Sequence, residues 1–118
     1  KSISITERGA CFGYRDLVVD PRSFAVLKSS GYETIFDAGH SVRRYGVPSS
    51  NVNEGGSKEY VKTLSRSAIA CYVDGIFVEV HPDPKNAKCD AATQLSFDEF
   101  ENLINDLLPL WNFVNNRN

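Results

Sequence analysis

The chain has 118 residues, of which 42% are hydrophobic and 24% charged, and its formal charge is -2. That length suits one domain with a modest core, and the composition is that of an ordinary soluble globular protein. The weak charge lacks the basic face that nucleic acid would demand. No apolar run approaches the roughly 20 residues that cross a bilayer, so neither nucleic acid nor membrane is expected as a partner. No signal peptide is visible at the start. The three cysteines, Cys11, Cys71 and Cys89, are odd in number and widely spaced. A reduced cytoplasmic protein accounts for them better than a disulfide framework, and without a CxxC pair a cysteine-only zinc site is not expected. The chain begins at Lys1 directly in an apolar alternation and contains no methionine. It therefore reads as the C-terminal portion, 1–118, of a longer single domain.

Residues 2–6, "SISIT", alternate with β-branched side chains and predict a short strand. The polar, glycine-bearing loop "ERGACFGYRD" follows. Asp20 then stands before Pro21, a pairing suited to an N-cap and first helical position. The helix should run to about Ser29 and stop at Gly31. "YETIFDA", residues 32–38, predicts a second strand. The connection 39–56 is long, and such loops are uncommon in compact domains unless functional or disordered. Ser57 reads as the cap of a helix from Lys58 to about Cys71, with Val61, Leu64, Ala68 and Cys71 at helical spacing. "GIFVEV", 75–80, predicts the third strand. Ser96 and Glu99 in "SFDE" form a capping box before a helix striped with Phe97, Phe100, Leu103, Ile104, Leu107 and Leu108. The polar end "NNRN" should fray.

Strands alternating with helices imply parallel pairing through right-handed crossovers. Short apolar strands between helices suit a sheet covered on both faces. Three such units cannot close a barrel, which again predicts part of something larger.

In parallel βα architectures the site forms at the C-terminal ends of the strands. Here those ends carry Glu7 and Arg8, then Asp37 and His40, then Glu79 and His81. His40, Glu79 and Asp90 supply one imidazole and two carboxylates, a donor set suited to Fe, Mn or Zn. Each residue alone has a plainer reading: a loop hydrogen-bonder for His40, a salt-bridge partner for Glu79. Glu79, however, interrupts an apolar strand, and a buried carboxylate needs a cation or donors. Arg8 offers a planar fork for phosphate or carboxylate, or else pairs with Glu7 or a neighbouring acid. Cys11 and Cys89 read best as small buried hydrophobes. Arg43, Arg44 and Lys58 form either a solvated basic loop or a lid over a phosphorylated substrate.

"TERGACFGYRDLVVDPRS", "FDAGHSV", the glycine pair of "NEGG" and "DGIFVEVHPDPKNAKCDAATQL" together resemble 3-deoxy-D-manno-octulosonate 8-phosphate synthase, in order from Ser4 to about Leu103. The related 3-deoxy-D-arabino-heptulosonate 7-phosphate synthase shares the "ERG", "D..H" and "E.HPDP" elements. The resemblance implies the last three βα units, sixth to eighth, of a (β/α)8 TIM barrel, in a cytoplasmic homotetramer. It implies a transferase condensing phosphoenolpyruvate with D-arabinose 5-phosphate and releasing phosphate, in lipopolysaccharide precursor synthesis. Arg8 would bind the phosphoenolpyruvate phosphate. His40 would contact phosphoenolpyruvate and, in metal-dependent members, ligate the metal together with Glu79 and Asp90; His40 and Asp90 are the implied catalytic pair. The fourth ligand position, cysteine or asparagine by class, falls in the earlier part of the barrel, and without that part the fragment should be inactive. "DAATQ" resembles the metal-dependent members. "HSVRRYGVPSSNVNEGG" departs from the family's "HSVQLPGG" type of loop. The alternatives are a heptulosonate synthase using erythrose 4-phosphate, or a non-catalytic barrel half kept for assembly.

Overall fold

Three parallel strands and three helices alternate along the chain in a computed structural model that describes residues 2–11 and 16–116. The centre of the "FGYRD" motif and the extreme C-terminus lie outside the described residues. The order is β1 (Ser4–Glu7), α1 (Pro21–Lys28), β2 (Glu33–Asp37), α2 (Val61–Ala70), β3 (Gly75–Phe77) and α3 (Phe97–Asn115). The sheet order is β1-β2-β3, with both pairs parallel. The alternation of strand and helix thus produced the α/β fold with a parallel sheet that the sequence predicts. The register sets Glu7 beside Phe36 and Asp37 beside Phe77, so the strands end together at one edge.

The helix boundaries follow local chemistry. Asp20 accepts the Arg22 N–H at 3.0 Å with Pro21 at the first helical position, and Gly31 beyond the helix adopts φ +79. That left-handed conformation favours glycine, which lacks a Cβ. The box at the start of α3 is reciprocal: Ser96 Oγ accepts the Glu99 N–H at 3.2 Å, and Glu99 Oε2 accepts the Ser96 N–H at 2.6 Å. Lys58 Nζ donates to the same Glu99 oxygen at 2.6 Å. Burial pushes the Glu99 carboxyl up, but Lys58 and the Ser96 N–H outweigh it and hold the group below its ordinary value.

The core lies between the central strand and the helices. Phe36 of β2 and Phe24 of α1 are fully buried and meet edge to face with ring centroids 5.7 Å apart. Each such side chain contributes about 1.5–3 kcal/mol by leaving water. Ala68 and Ile69 of α2 and Leu103, Leu107 and Val114 of α3 complete the cluster. The expected α3 stripe closes only in part. Phe97 and Leu108 are exposed, and Phe100, Ile104 and Trp111 line an open apolar groove of about 340 Å³ with Ile76 and Val78.

Three local expectations are corrected. Strand β3 ends at Phe77, its last pair with β2 being Asp37 and its carbonyl accepting the Ala38 N–H at 3.0 Å; Val80 instead makes an isolated parallel bridge with Leu95. Ser57 does not cap a helix. A 3-10 turn over Lys58–Tyr60 precedes α2, and the Ser57 hydroxyl instead accepts from Arg44 Nε at 3.0 Å. Cys11 and Cys89 are exposed rather than buried, and Cys71 is half-buried at the end of α2. Both exposed residues sit in loops past strand ends, outside the layers that bury the core. Among the described residues no helix is long and apolar enough to cross a membrane.

Candidate functional site

The strand ends bring the nominated residues to one edge of the sheet. Asp37 closes β2 and is buried. Its carboxylate accepts the backbone N–H of His40 at 2.9 Å through Oδ1, and lies 2.8 Å from His40 Nδ1 through Oδ2. Where that carboxylate is ionised it can only accept, so Nδ1–H faces it and Nε2 is the nitrogen turned away from Asp37. Phe77, at the end of β3, stacks on the imidazole with centroids 6.3 Å apart. His40 is thereby fixed in tautomer and plane.

His40 Nε2 faces Asp90 Oδ2 at 3.8 Å. Glu79 completes the group: one donor atom from each of His40, Glu79 and Asp90 lies within 4.8 Å of the others. This is the sole such group among the described residues. The backbone of Glu79 is set by the bridge past β3, where its carbonyl accepts the Leu95 N–H at 3.0 Å. Asp90 adopts φ +48. That conformation is uncommon outside glycine, and aspartate tolerates it better than most residues. The Asp90 carbonyl accepts the N–H groups of Thr93 and Gln94 at 2.9 and 3.0 Å, which holds the turn.

The donor set fits a divalent cation. A neutral imidazole nitrogen facing carboxylate oxygens is a repulsive arrangement unless a proton or a cation lies between them. Asp90 Oδ1 is buried and makes no hydrogen bond, and a buried carboxylate oxygen in that state calls for positive charge. Its one non-histidine cation among the described residues is Arg43, whose Nη1 is 3.3 Å away, an ion-pair distance. The Asp37–His40 contact is the carboxylate–histidine arrangement that orients metal-binding imidazoles.

Arg8 stands beside this group rather than in it. With Arg43, Arg44, Tyr45, Gly46, Val47 and Leu17 it lines a pocket of about 270 Å³. Three arginines thus line one cavity, and a guanidinium fork is the side chain whose geometry matches phosphate or carboxylate. Among the described residues Arg8 makes no ion pair with Glu7, whose carboxylate instead accepts the Gly9 N–H at 2.6 Å. Of the three basic residues expected to act together, Arg43 and Arg44 face the pocket, whereas Lys58 is engaged with Glu99.

The loop 39–56 is folded back on the chain. Arg44 N–H donates to the Gly55 carbonyl at 3.0 Å, and Ala92 N–H donates to the Ser49 carbonyl at 3.0 Å. The loop therefore packs against the segment that follows Asp90. Two functional contacts went unread in the sequence. The Asp37–His40 pair was available as an i,i+3 spacing in "FDAGHSV"; the Arg43–Asp90 pair joins residues far apart in sequence and left no local signal.

Comparison with known proteins gives a consistent picture. Over 115 residues the chain is 47% identical to a 2-dehydro-3-deoxyphosphooctonate aldolase of Geobacter sp. (strain M21), a match covering 98% of this chain and 41% of that protein. A protein of the same name from Trichlorobacter lovleyi is 48% identical over 110 residues, 93% of this chain and 40% of its own. The chain thus spans about two fifths of the length of these curated relatives. Among solved structures it resembles the phospho-2-dehydro-3-deoxyheptonate aldolase (DAHP synthase) of Thermotoga maritima, with a TM-score of 0.73 and 28% identity over 92% of this chain and 29% of that one. A family model matches residues 1–111, and the chain belongs to the DAHP synthetase I family.

Proposed function

We propose that the protein containing this chain condenses phosphoenolpyruvate with D-arabinose 5-phosphate, giving 3-deoxy-D-manno-octulosonate 8-phosphate and inorganic phosphate. The observation that carries this reading is the meeting of His40, Glu79 and Asp90 within 4.8 Å beside a three-arginine pocket. It occurs on a chain 47% identical to octonate aldolases. The heptonate enzyme of Thermotoga maritima, at 28%, is the more distant match, which favours the eight-carbon product over the seven-carbon one.

In this reading Arg8, with the arginines across its pocket, binds the phosphate of phosphoenolpyruvate. His40 lies against the same substrate, and His40, Glu79 and Asp90 would hold a divalent ion, Fe, Mn or Zn. Such an ion, when bound, supplies positive charge and can acidify or orient water. Asp37, bonded at Nδ1, orients the imidazole so that Nε2 is the nitrogen presented to the ion. Arg8, Arg43 and Arg44 offset charge that gathers on phosphate and carboxylate oxygens as the reaction proceeds. The folded 39–56 loop shields the pocket from water.

The three βα units act as the sixth to eighth of a (β/α)8 barrel. The apolar groove between β3 and α3, lined by Ile76, Val78, Phe100, Ile104 and Trp111, then seats chain from the rest of the barrel, and the whole assembles as a cytoplasmic homotetramer. The full-length protein should release phosphate from phosphoenolpyruvate when arabinose 5-phosphate is supplied. Release with erythrose 4-phosphate alone would replace this reading with the heptonate one, and release with neither sugar would leave a non-catalytic barrel half. Removal of metal by a chelator should abolish the activity; full activity after complete metal removal would refute the ligand assignment.

A further inference from the structure

We infer that Arg43 is a movable counter-ion that couples cation binding at His40, Glu79 and Asp90 to oxyanion binding in the adjacent arginine pocket. The inference rests on the proposed cation and phosphate sites and adds a link between them. Arg43 belongs to both places: its Nη1 lies 3.3 Å from Asp90 Oδ1, and its side chain lines the pocket with Arg8 and Arg44. Its basic neighbours Arg44 and Lys58 make no ion pair with Asp90 among the described residues. Arg44 is tied to the Ser57 hydroxyl at 3.0 Å and Lys58 to Glu99 at 2.6 Å. The Arg43 side chain is 35% exposed.

The backbone of Arg43 is anchored, and among the described residues its head is in one ion pair, with Asp90. Its N–H donates to the His40 carbonyl at 3.2 Å, and the residue bridges to Gly56. The long side chain can therefore turn about a fixed root. Asp90 Oδ1 is buried without a hydrogen bond, so without a cation the Arg43 charge compensates it. A divalent ion held by Asp90 takes over that compensation and repels the guanidinium, since like charges disfavour each other at short range. The pocket beside it is where a displaced guanidinium finds a new partner, because its planar fork matches a phosphate. Occupation of either site then favours occupation of the other.

The test uses the full-length protein stripped by a chelator, with Mn²⁺ as cation probe, followed by the paramagnetic signal of free Mn²⁺, and inorganic phosphate as anion probe, followed by calorimetry. Saturating Mn²⁺ should tighten phosphate binding roughly tenfold, and phosphate should tighten Mn²⁺ by the same factor, because coupling between two binding sites is reciprocal. In Arg43→Gln the factor should fall to near one, and Mn²⁺ should bind more tightly than to wild type when phosphate is absent, since its competitor is gone. Arg44→Gln should weaken phosphate binding yet keep the factor. Arg43→Lys retains the charge without the fork and should show a reduced factor, which gives a second reading should the glutamine variant not fold. A factor that survives in Arg43→Gln overturns the inference, because direct attraction between the ions would then explain it, and the proposed function stands. Absence of any Mn²⁺ binding overturns both the inference and the cation site on which it rests.

Discussion

Gly55→Ala tests whether the 39–56 loop is held in place by close packing. A Cβ built on Gly55 would lie 2.6 Å from the Pro48 carbonyl oxygen, 2.7 Å from that of Asn51 and 3.0 Å from Ala92 Cβ. The two nearest atoms are backbone, so neither can turn aside as a flexible side chain would. The Asn51 carbonyl is also fixed by accepting the Gly55 N–H at 2.7 Å. Forcing one methyl group into such a site costs about 1–3 kcal/mol. The chain can respond in two ways. If the loop holds, the cost appears as lost global stability, read from the denaturant midpoint of the full-length protein. If the loop yields, stability changes little and Arg43 and Arg44 move off the pocket; phosphate affinity then falls about tenfold for each ~1.4 kcal/mol lost. Gly39→Ala is the internal control. Its Cβ would meet only Asp37 Oδ1 at 3.8 Å, and its φ of -76 suits alanine, so both readouts should stay near wild type. A Gly55→Ala protein with unchanged midpoint and unchanged phosphate affinity would refute the packing argument.

Asp37→Asn should weaken Mn²⁺ binding by roughly 10–100-fold, the usual effect of losing the carboxylate behind a ligating histidine; equal affinity would show that Asp37 does not orient His40. Ser96→Ala should cost about 1 kcal/mol of stability through loss of the α3 cap, measured by denaturant unfolding, with no change in substrate affinity. Asp74 links stability to pH. Burial raises its carboxyl, but the Thr34 N–H and Lys28 outweigh this and bring it below its ordinary value. A lowered native value stabilises the fold above the unfolded value near ~3.9, and the gain is lost as the pH falls through the native value. Asp74→Ala should therefore be less stable than wild type at neutral pH, with the gap closing on acidification below about pH 4; a gap that is constant over that range would exclude the linkage.

Much of the fold could be read because its signals are local. Asp20 with Pro21 and Ser96 with Glu99 each settle a helix start within four residues, and both caps are present. The parallel sheet follows from alternation of units rather than from any single segment. What could not be read depends on partners distant in sequence. The apolar run 75–80 gives no sign that its pairing with β2 stops at Phe77, so by sequence alone β3 reads too long. Ser57 has the residue type of a cap, but Arg44 takes its hydroxyl from 13 positions away. Cys11 and Cys89 have the residue type of the core, but the loops that carry them leave both exposed. At the site, Arg8, His40, Glu79 and Asp90 were nominated from their places at or beyond strand ends. The contact between Arg43 and Asp90, and the exclusion of Lys58 from the arginine pocket, emerge only when the loop folds back.

The site divides into parts that are held and one part that is not, and this division bears on how it can work. His40 is fixed by two contacts to Asp37 and by the Phe77 ring. Glu79 is tied through its carbonyl to Leu95, and Asp90 through its carbonyl to Thr93 and Gln94, while Gln94 Nε2 also donates to the Cys89 carbonyl at 3.0 Å. His40 and Asp90 thus rest on bonds made within five residues of each, whereas Glu79 is tied across 16 positions to Leu95. In the proposed reading, such preorganisation would let a cation bind at little cost in ordering these residues. Arg8 and Arg44 face the anion pocket from opposite sides in the sequence, one after β1 and one in the long loop. Among the described residues Arg43 spans both groups, with an anchored backbone and a partly exposed head in an ion pair with Asp90. In the proposed reading the cation site and the arginine pocket share Arg43, so the loop 39–56 that carries it takes part in bringing the two charges together.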